Sequence, residues 1–309
     1  MIYTVTLNPA VDRELTVPQV QFDSVLRATD SHVDYGGKGF NVSRMLRQLG
    51  TSSIAPGFVG GRAGELLKDG LDALGIPTDL MWVAGETRTN VSIVTEAHDR
   101  YIKVNEPGPL IDAAKQQELI EKVRSLVRAA DWWVLSGSLP PGVPPDYYAR
   151  LVQLIQADGA RAIVDTSGEA LRLACAEKAY MVKPNAEEAQ VLSGLRVNTP
   201  GEAASAAQAI RGRGAGIAVI SMGRDGAVFS GPEGAFVARA PSIEEKNPIG
   251  AGDALVGGLV WGMARGLPMK DALRWGVASG AAAASLPGTE VGSMALIERL
   301  YSQVGHEDL

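Results

Sequence analysis

The sequence contains very little cysteine and no long apolar run. Cys175 is the single cysteine among 309 residues, which excludes an internal disulfide framework and fits a reducing compartment. No apolar stretch reaches the roughly 18–20 residues needed to cross a bilayer. Residues 1–7 lack the basic segment that opens a signal peptide and are predicted to form a strand. We therefore expect a cytoplasmic protein without a membrane partner.

An excess of positive charge and the common catalytic fingerprints are also missing. The chain has 29 Lys and Arg against 35 Asp and Glu, a net charge of −6, and no basic run, which argues against a nucleic-acid partner. His32, His98 and His306 share no metal-ligand spacing, and the chain end that carries His306 is expected to be frayed. A Walker A loop, a Gly-x-Gly-x-x-Gly fingerprint and a Gly-x-Ser-x-Gly elbow are all absent, which argues against a P-loop protein, a Rossmann oxidoreductase and a serine hydrolase.

The composition and the apolar pattern instead indicate a large α/β domain. Hydrophobic residues make up 46% and charged residues 21% of the chain, as in typical globular proteins. Helical patterns alternate with short apolar runs at 132–136, 162–165, 180–183 and 217–221, which predicts a mostly parallel sheet covered on both faces. Ligands of such sheets bind at the carboxyl ends of the strands. The polar residues at those ends are Ser136, Asp165, Lys183 and Ser221.

Two N-terminal segments depart from this alternation. Residues 11–35 and 81–104 contain short β-like runs and no clear helix, so we expect them to form a small β-sheet lid. The large α/β domain would then consist of residues 1–10, 36–80 and 105–309. Exposed edges of a lid sheet can pair with a second copy of the chain, so a homodimer through the lid is a further expectation.

The stretch Asn247-Pro-Ile-Gly-Ala-Gly-Asp253 carries the clearest chemical signal. Its glycines let the backbone approach a ligand, and a run of small residues that is predicted to be helical follows. The first N–H groups of a helix have no partner inside it and can bind an anion. Asp253 would stand beside this anion hole, where a base could accept a proton. The motif therefore suggests transfer of a phosphoryl group to a hydroxyl.

Two further motifs each allow a functional and a structural interpretation. Gly36-Gly-Lys-Gly-Phe-Asn41 could close around a polar ligand, or it is a glycine-rich turn with a solvated lysine. In Lys183-Pro-Asn-Ala-Glu-Glu188, a carboxylate could hold a hydrated Mg²⁺, or the acidic residues only complement the dipole of a helix.

The same two interpretations apply to a turn and to two cationic residues. Ser221-Met-Gly-Arg-Asp-Gly226 is sufficiently explained as a hairpin turn, although it ends a predicted sheet strand. Arg88, in Thr-Arg-Thr-Asn, offers a planar fork suited to a phosphate, and Lys103 lies in the same predicted lid. Both cations could also be solvated charges at the edge of a sheet.

In their order and spacing, these motifs resemble the PfkB carbohydrate kinase family from Thr6 to Thr289. The resemblance implies a ribokinase-like fold, ATP and Mg²⁺ as cofactors, and an Ala-rich border of the adenine at 280–288. The implied base is Asp253, and the implied anion hole consists of Gly250, Ala251 and Gly252. The implied ATP-binding residues are Lys183, Asn185, Ser221, Gly223 and Gly226. The implied metal residues, acting through water, are Asn185 and Glu188.

The charge available for the substrate decides the subgroup. A free-sugar kinase needs no cationic cluster, whereas a sugar-phosphate kinase must neutralise nearly two negative charges. The strings similar to the phosphofructokinase and tagatose-phosphate kinase branch are Leu-Asn-Pro-Ala-Val-Asp12, Thr-Arg-Thr-Asn90 and Ser-Gly-Ser-Leu-Pro-Pro-Gly142. Within that branch, the resemblance of Val-Asn-Glu-Pro-Gly-Pro109 implies fructose 1-phosphate as the acceptor. Alternatives are fructose 6-phosphate, tagatose 6-phosphate, a free sugar or nucleoside, and a non-catalytic sugar-phosphate sensor. The implied substrate residues are Asp12, Gly37, Lys38, Asn41, Arg88, Lys103, Ser136 and Ser138.

Overall fold

The structure, a computed structural model, describes residues 1–97 and 100–309, so His98 lies outside the described residues. Strands and helices alternate along most of the chain. In chain order, the strands are β1 (Ile2–Thr6), β2 (Ala10–Val17), β3 (Asp30–Gly36), β4 (Ala55–Val59), β5 (Thr78–Trp82), β6 (Arg88–Thr95), β7 (Tyr101–Val104), β8 (Trp132–Ser136), β9 (Arg161–Asp165), β10 (Met181–Val182), β11 (Ile217–Ser221), β12 (Ala227–Gly231), β13 (Gly234–Arg239) and β14 (Gly305–Asp308). The helices are α1 (Lys38–Gln48), α2 (Gly61–Ala73), α3 (Ala113–Leu126), α4 (Tyr147–Ala157), α5 (Gly168–Ala176), α6 (Ala186–Ser193), α7 (Pro200–Gly212), α8 (Ala251–Ala264), α9 (Met269–Ala284) and α10 (Met294–Tyr301).

Ten strands form the large sheet, in the order β14-β13-β12-β11-β10-β9-β8-β1-β4-β5. Neighbours from β11 to β5 run parallel, whereas β12, β13 and β14 are added antiparallel. Strands β1, β4 and β8 are buried at every position, because helices cover both faces of the sheet. The predicted α/β class with a mostly parallel central sheet is confirmed. The run predicted at 180–183 is shorter than expected and pairs only over Met181–Val182.

Two apolar cores lie on opposite faces of the large sheet. Successive residues of a strand point to opposite faces, so Trp133 belongs to one core and its neighbours Trp132 and Val134 to the other. Helices α3 to α7 cover the first core, and α1 with α8 to α10 covers the second. Among the described residues, no helix has both the length and the apolar character that a bilayer span requires.

A separate small sheet has the strand order β3-β2-β6-β7. Its outer strands β3 and β7 are exposed at most positions. The chain enters this sheet later than the lid segment predicted from residue 81, because Met81 and Trp82 end β5 in the large sheet. The connection between the two sheets is short, since only residues 7–9 separate β1 of the large sheet from β2 of the small sheet.

The C-terminal end is also ordered. The expectation of a frayed end around His306 is wrong, because β14 pairs with β13 and extends the large sheet. An ion pair between Arg239 and Glu307, with an N–O distance of 2.8 Å, joins the two strands.

Candidate active site

A cavity of about 980 Å³ opens at the carboxyl ends of the parallel strands and extends to the small sheet. Asp165 and Ser221 end β9 and β11 at its wall, and Lys183 directly follows β10. Asp12 and Arg88 reach it from β2 and β6 of the small sheet. The cavity therefore lies where a parallel sheet is expected to hold a ligand.

All but two of the site residues predicted from the sequence line this cavity. Ser136 is fully buried, and its carbonyl accepts a hydrogen bond from the Tyr148 hydroxyl at 3.0 Å. Ser138 is exposed, and its Oγ accepts a hydrogen bond from Asn8 Nδ2 at 3.3 Å. Neither serine is part of the cavity wall. The predicted residues that do line it are Asp12, Gly37, Lys38, Asn41, Arg88, Lys103, Lys183, Asn185, Glu188, Ser221, Gly223, Gly226, Gly250, Ala251, Gly252 and Asp253.

The N-terminus of α8 faces this cavity. Gly250 caps the helix in the left-handed region, with φ of 80°, a conformation that favours glycine. In the described part of the chain, the Ala251 N–H donates to the Pro248 carbonyl at 3.2 Å, while the N–H groups of Gly250, Gly252 and Asp253 have no backbone acceptor. These free donors and the positive end of the helix dipole can hold an anion.

Asp253 stands on the first turn of α8 as a buried carboxylate. Its Oδ2 accepts a hydrogen bond from Asn41 Nδ2 at 2.8 Å. Burial and the nearby Asp165 carboxylate raise the pKa of Asp253 to about 6, against the opposing effect of Lys38, Asn41 and Lys183. A carboxylate with such a pKa is charged at neutral pH and accepts a proton more readily than an exposed one, as a general base must.

Asp165 lies between two lysines beside the Asp253 carboxylate. Its Oδ1 lies 3.2 Å from Lys38 Nζ and 3.3 Å from Lys183 Nζ. Burial opposes the charge of Lys38, but the carboxylates of Asp165 and Asp253 outweigh it and raise the pKa of Lys38. A Cβ atom on Gly252 would lie 3.7 Å from Lys183 Nζ, so this ammonium borders the anion hole. Sequence reasoning noted Asp165 only as a polar strand end, although its position after a buried run was the signal.

Asn185 and Glu188 form a capping box at the start of α6. The Glu188 N–H donates to Asn185 Oδ1 at 2.8 Å, and the Asn185 N–H donates to Glu188 Oε2 at 2.9 Å. Glu188 also lines the cavity, so one of its carboxylate oxygens caps the helix and the other remains available. The residues that the structure describes contain no group of three or more His, Cys, Asp or Glu arranged to hold a metal ion.

The small sheet contributes a second carboxylate–amide pair. Asp12 and Asn90 lie opposite each other in the parallel register of β2 and β6, and Asn90 Nδ2 donates to Asp12 Oδ1 at 2.8 Å. A side chain at Gly36 would overlap Asp12 Oδ2, so glycine is required there for this carboxylate position. Asn90 lines the cavity and was not singled out from the sequence.

Arg88 presents a cation at the small-sheet end of the cavity. Its guanidinium donates to backbone carbonyls of Asn8 at 2.9 Å, Glu106 at 3.3 Å and Pro9 at 3.4 Å. Burial lowers the pKa of Arg88, with Asp12 opposing this effect. Arg88 forms no close ion pair with a carboxylate among the described residues, so neutral carbonyl groups orient its guanidinium, and Asp12 acts on its charge only from a distance.

The opposite wall of the cavity is largely apolar. Of the Ala-rich segment expected at 280–288, Gly280, Ala281 and Ala284 reach the wall. The 3.1 Å ion pair between Arg224 and Glu245 borders this side. The sequence offered no signal for that pair, because its members lie 21 residues apart, Arg224 in a single 3₁₀ turn and Glu245 in a loop.

Comparisons with known proteins agree along the chain. Residues 5–295 match the family described as pfkB family carbohydrate kinase. A 1-phosphofructokinase from Bacillus subtilis (strain 168) is 35% identical, with 98% of both chains covered. A 1-phosphofructokinase from Xanthomonas campestris pv. campestris is 39% identical over 83% of this chain and 82% of its own.

Solved structures agree as well. The structure of phosphofructokinase-2 from Escherichia coli in complex with potassium superposes with a TM-score of 0.92 at 33% identity, covering 97% of this chain and 98% of that one. The family match includes every residue that lines the cavity, and the similarity to solved sugar kinases confirms the predicted ribokinase-like fold. The chain belongs to the pfkB family of carbohydrate kinases.

Proposed function

We propose that this sugar kinase is a 1-phosphofructokinase, which transfers the γ-phosphoryl group of ATP to fructose 1-phosphate and releases fructose 1,6-bisphosphate and ADP. The observation that carries the proposal is the buried Asp253 beside the free N–H groups of α8, in one cavity with Arg88, which forms no close ion pair among the described residues. Five relatives that are 34–39% identical over most of the chain are named 1-phosphofructokinase, which favours this acceptor.

In this proposal, Asp253 is the general base. Asn41 holds its Oδ2, so Oδ1 faces the hydroxyl of the acceptor. As the hydroxyl oxygen attacks the γ-phosphorus, its proton passes to Asp253, and the bond to the bridging oxygen of ADP breaks. The free N–H groups of Gly250 and Gly252 and the ammonium of Lys183 stabilise the charge on the transferring group.

The phosphate already present on the acceptor would be bound at the small sheet. Arg88 is oriented by three carbonyls and forms no close ion pair with a carboxylate among the described residues. Lys103 lines the cavity from the neighbouring strand β7. A planar guanidinium and an ammonium can together neutralise a phosphate monoester, while Asp12 and Asn41 are left for the sugar hydroxyls.

The proposed cofactors are ATP and Mg²⁺, and the residues present fit them. Glu188 lines the cavity, and only its Oε2 takes part in the capping box of α6, so Oε1 is available for a ligand. One free carboxylate suits Mg²⁺, which retains several waters and binds substrate phosphates. Such an ion would neutralise phosphate charge, and Glu188 with Asn185 would hold it through water. The apolar wall near Ala281 would border the adenine, and Ser221, Gly223 and Gly226 would border the nucleotide.

We further propose that segments 11–35 and 81–104 act as a lid that closes over the sugar and limits ATP hydrolysis by water. The small sheet has two exposed edges, and Tyr101 on its edge strand β7 is 72% exposed. Phe22 and Val25, in the connection between β2 and β3, are 78% and 81% exposed. Exposed apolar side chains on and beside an open sheet edge favour pairing with a second copy, so a cytoplasmic homodimer through the lid is part of this proposal.

The test is ADP release over a panel of fructose 1-phosphate, fructose 6-phosphate, tagatose 6-phosphate, ribose and adenosine. We expect the highest kcat/KM for fructose 1-phosphate, with a blank without sugar to correct for ATP hydrolysis. A higher kcat/KM for another hexose phosphate would show that this other sugar phosphate is the acceptor. Equal rates on ribose or adenosine would contradict a phosphate-binding site. Binding of fructose 1-phosphate without ADP release would indicate a sensor.

A further inference from the structure

Asn90 is a buried polar residue of the cavity that the proposed mechanism does not use. It lies in β6, lines the cavity between the two sheets and is only 7% exposed. The parallel register places it opposite Asp12, the residue expected to hold a sugar hydroxyl. Its amide therefore stands directly beside the substrate carboxylate.

The hydrogen bonding of Asn90 determines which of its two polar atoms is free. Asn90 Nδ2 donates to Asp12 Oδ1 at 2.8 Å, and a carboxylate that is ionised can only accept. The amide must therefore turn its NH₂ group to Asp12 and its carbonyl Oδ1 away. That Oδ1 is buried and has no hydrogen-bond partner among the described residues. Buried acceptors are rarely left unpaired, so a ligand donor is expected there.

The other end of the cavity has the same arrangement. Asn41 Nδ2 donates to Asp253 Oδ2 at 2.8 Å, and Asn41 Oδ1 is likewise buried without a partner. In both pairs an asparagine orients an aspartate and retains one free acceptor. In the Asp12–Asn90 pair, the hydrogen bond between the two side chains leaves one carboxylate oxygen and one amide oxygen as acceptors. Two acceptors on paired side chains match two neighbouring hydroxyl groups, each of which donates one hydrogen bond.

We propose that Asn90 is a substrate-binding residue whose Oδ1 accepts a hydrogen bond from one hydroxyl of the sugar phosphate, next to the hydroxyl held by Asp12. This inference rests on the proposed sugar-phosphate kinase function. In this inference, the Asp12–Asn90 pair binds two adjacent hydroxyl groups of the sugar. A substrate that lacks the hydroxyl at Asn90 is then expected to have a lower kcat/KM.

The competing explanation is that Asn90 only positions Asp12. The two explanations differ once Asp12 is removed. A residue that acts only through Asp12 has no further effect on the sugar in an Asp12→Ala background, whereas a residue that binds its own hydroxyl still does.

The experiment measures kcat, the KM for each substrate and the thermal unfolding of wild type, Asn90→Ala, Asp12→Ala and the double variant. Ser92→Ala is the matched control, because Ser92 lies on the same face of β6 and does not line the cavity. We expect Asn90→Ala to raise the KM for fructose 1-phosphate on the order of tenfold, in both the wild-type and the Asp12→Ala background, with the KM for ATP unchanged.

A second arm uses the wild-type enzyme, so that it does not depend on folding of the variants. Monodeoxy analogues of fructose 1-phosphate are compared for kcat/KM. One analogue is expected to lose on the order of tenfold with wild type and to show no further loss with Asn90→Ala.

Two results would overturn the inference: no effect of Asn90→Ala in the Asp12→Ala background, or equal losses with Asn90→Ala on every analogue. Failure of the proposed function is a separate result, because wild type itself would then not release ADP with fructose 1-phosphate. Active wild type with an unchanged Asn90→Ala variant contradicts only the inference.

Discussion

The two ends of the cavity differ in how their charged groups are supported. At the transfer end, Asp253, Asp165 and Lys183 are 7%, 1% and 3% exposed and stand at the ends of fully covered strands and a buried helix. At the sugar end, Arg88 and Lys103 come from a small sheet whose outer strands are exposed. Burial strengthens interactions between charges and shifts pKa values, and this effect is greatest where several charged groups are buried together, as at the transfer end.

This difference assigns different tasks to the two ends. At the transfer end, opposite charges compensate one another, because Asp165 pairs with Lys38 and Lys183. In the proposed mechanism, these compensated charges set the proton affinity of Asp253. At the sugar end, Arg88 is held by neutral carbonyls and its charge is left for an anion. We therefore expect substitutions at the first end to change kcat and those at the second to change the KM of the sugar phosphate.

The largest expected effect tests the transfer end. Asp253→Asn keeps the size of the side chain and its hydrogen bond to Asn41 but removes the base. We expect kcat to fall on the order of 10²–10⁴-fold with little change in ATP binding, measured by steady-state kinetics and nucleotide titration. Asp158→Asn, at the exposed C-terminal end of α4, is the control. Near-normal turnover would remove Asp253 from the role of base.

The same variant should be more stable than wild type at neutral pH. The pKa of Asp253 is raised in the folded protein to about 6, so the folded state disfavours the charged carboxylate. This cost grows as the pH rises from about 4 to about 6 and is fully present at pH 7.5. Asp253→Asn should therefore raise the free energy of unfolding by on the order of 1–3 kcal/mol at pH 7.5 and by much less at pH 4.

The next effect is the pH dependence of kcat/KM, which reports the free enzyme. Because Asp253 must be ionised to accept a proton, kcat/KM should fall about tenfold per pH unit below pH 6. The phosphate groups of the substrates also titrate near pH 6, so a variant must separate the two. Asp165→Asn removes the carboxylate that raises the pKa of Asp253 and should move the acid limb to lower pH. If the acid limb of the kcat/KM profile does not move in this variant, the limb reports the substrate phosphates and not Asp253.

Sequence reasoning predicted the positions at the transfer end well, for a physical reason. The carboxyl ends of parallel strands meet at one edge of a sheet, so polar residues after apolar runs, such as Lys183 and Ser221, converge without knowledge of the loops. The same rule failed for Ser136. It is the last residue of β8, but its side chain is fully buried and does not reach the cavity.

The pairs at the sugar end could not be predicted in the same way. Asp12 and Asn90 are separated by 78 residues, and their contact depends on the parallel register of β2 and β6. Neither strand shows a pattern that fixes this register, because both are only partly buried. The partners of Arg88 are backbone carbonyls, which leave no trace in residue types.

Arg88→Ala tests the sugar end. Loss of a charge-assisted contact should raise the KM for fructose 1-phosphate roughly 10–100-fold, with a much smaller effect on the KM for ATP. Arg13→Ala is the control, because Arg13 is an exposed cation on the neighbouring strand β2 outside the cavity. Equal changes in both KM values would show that Arg88 supports the cavity as a whole and does not bind the substrate phosphate.

The smallest effect concerns the metal dependence of the transfer end. In Glu188→Gln, the side-chain carbonyl of the new glutamine can still accept a hydrogen bond from the Asn185 N–H. The variant should therefore keep the capping box of α6 and the stability of the fold. It removes the carboxylate charge, so the Mg²⁺ concentration at half-maximal velocity should rise about tenfold, as for ligands that act through water. Glu187→Gln, one residue away and outside the cavity, should leave it unchanged. If Glu188→Gln instead lowers the melting temperature and leaves the Mg²⁺ requirement unchanged, Glu188 is a helix cap and the metal is held by the substrate phosphates alone.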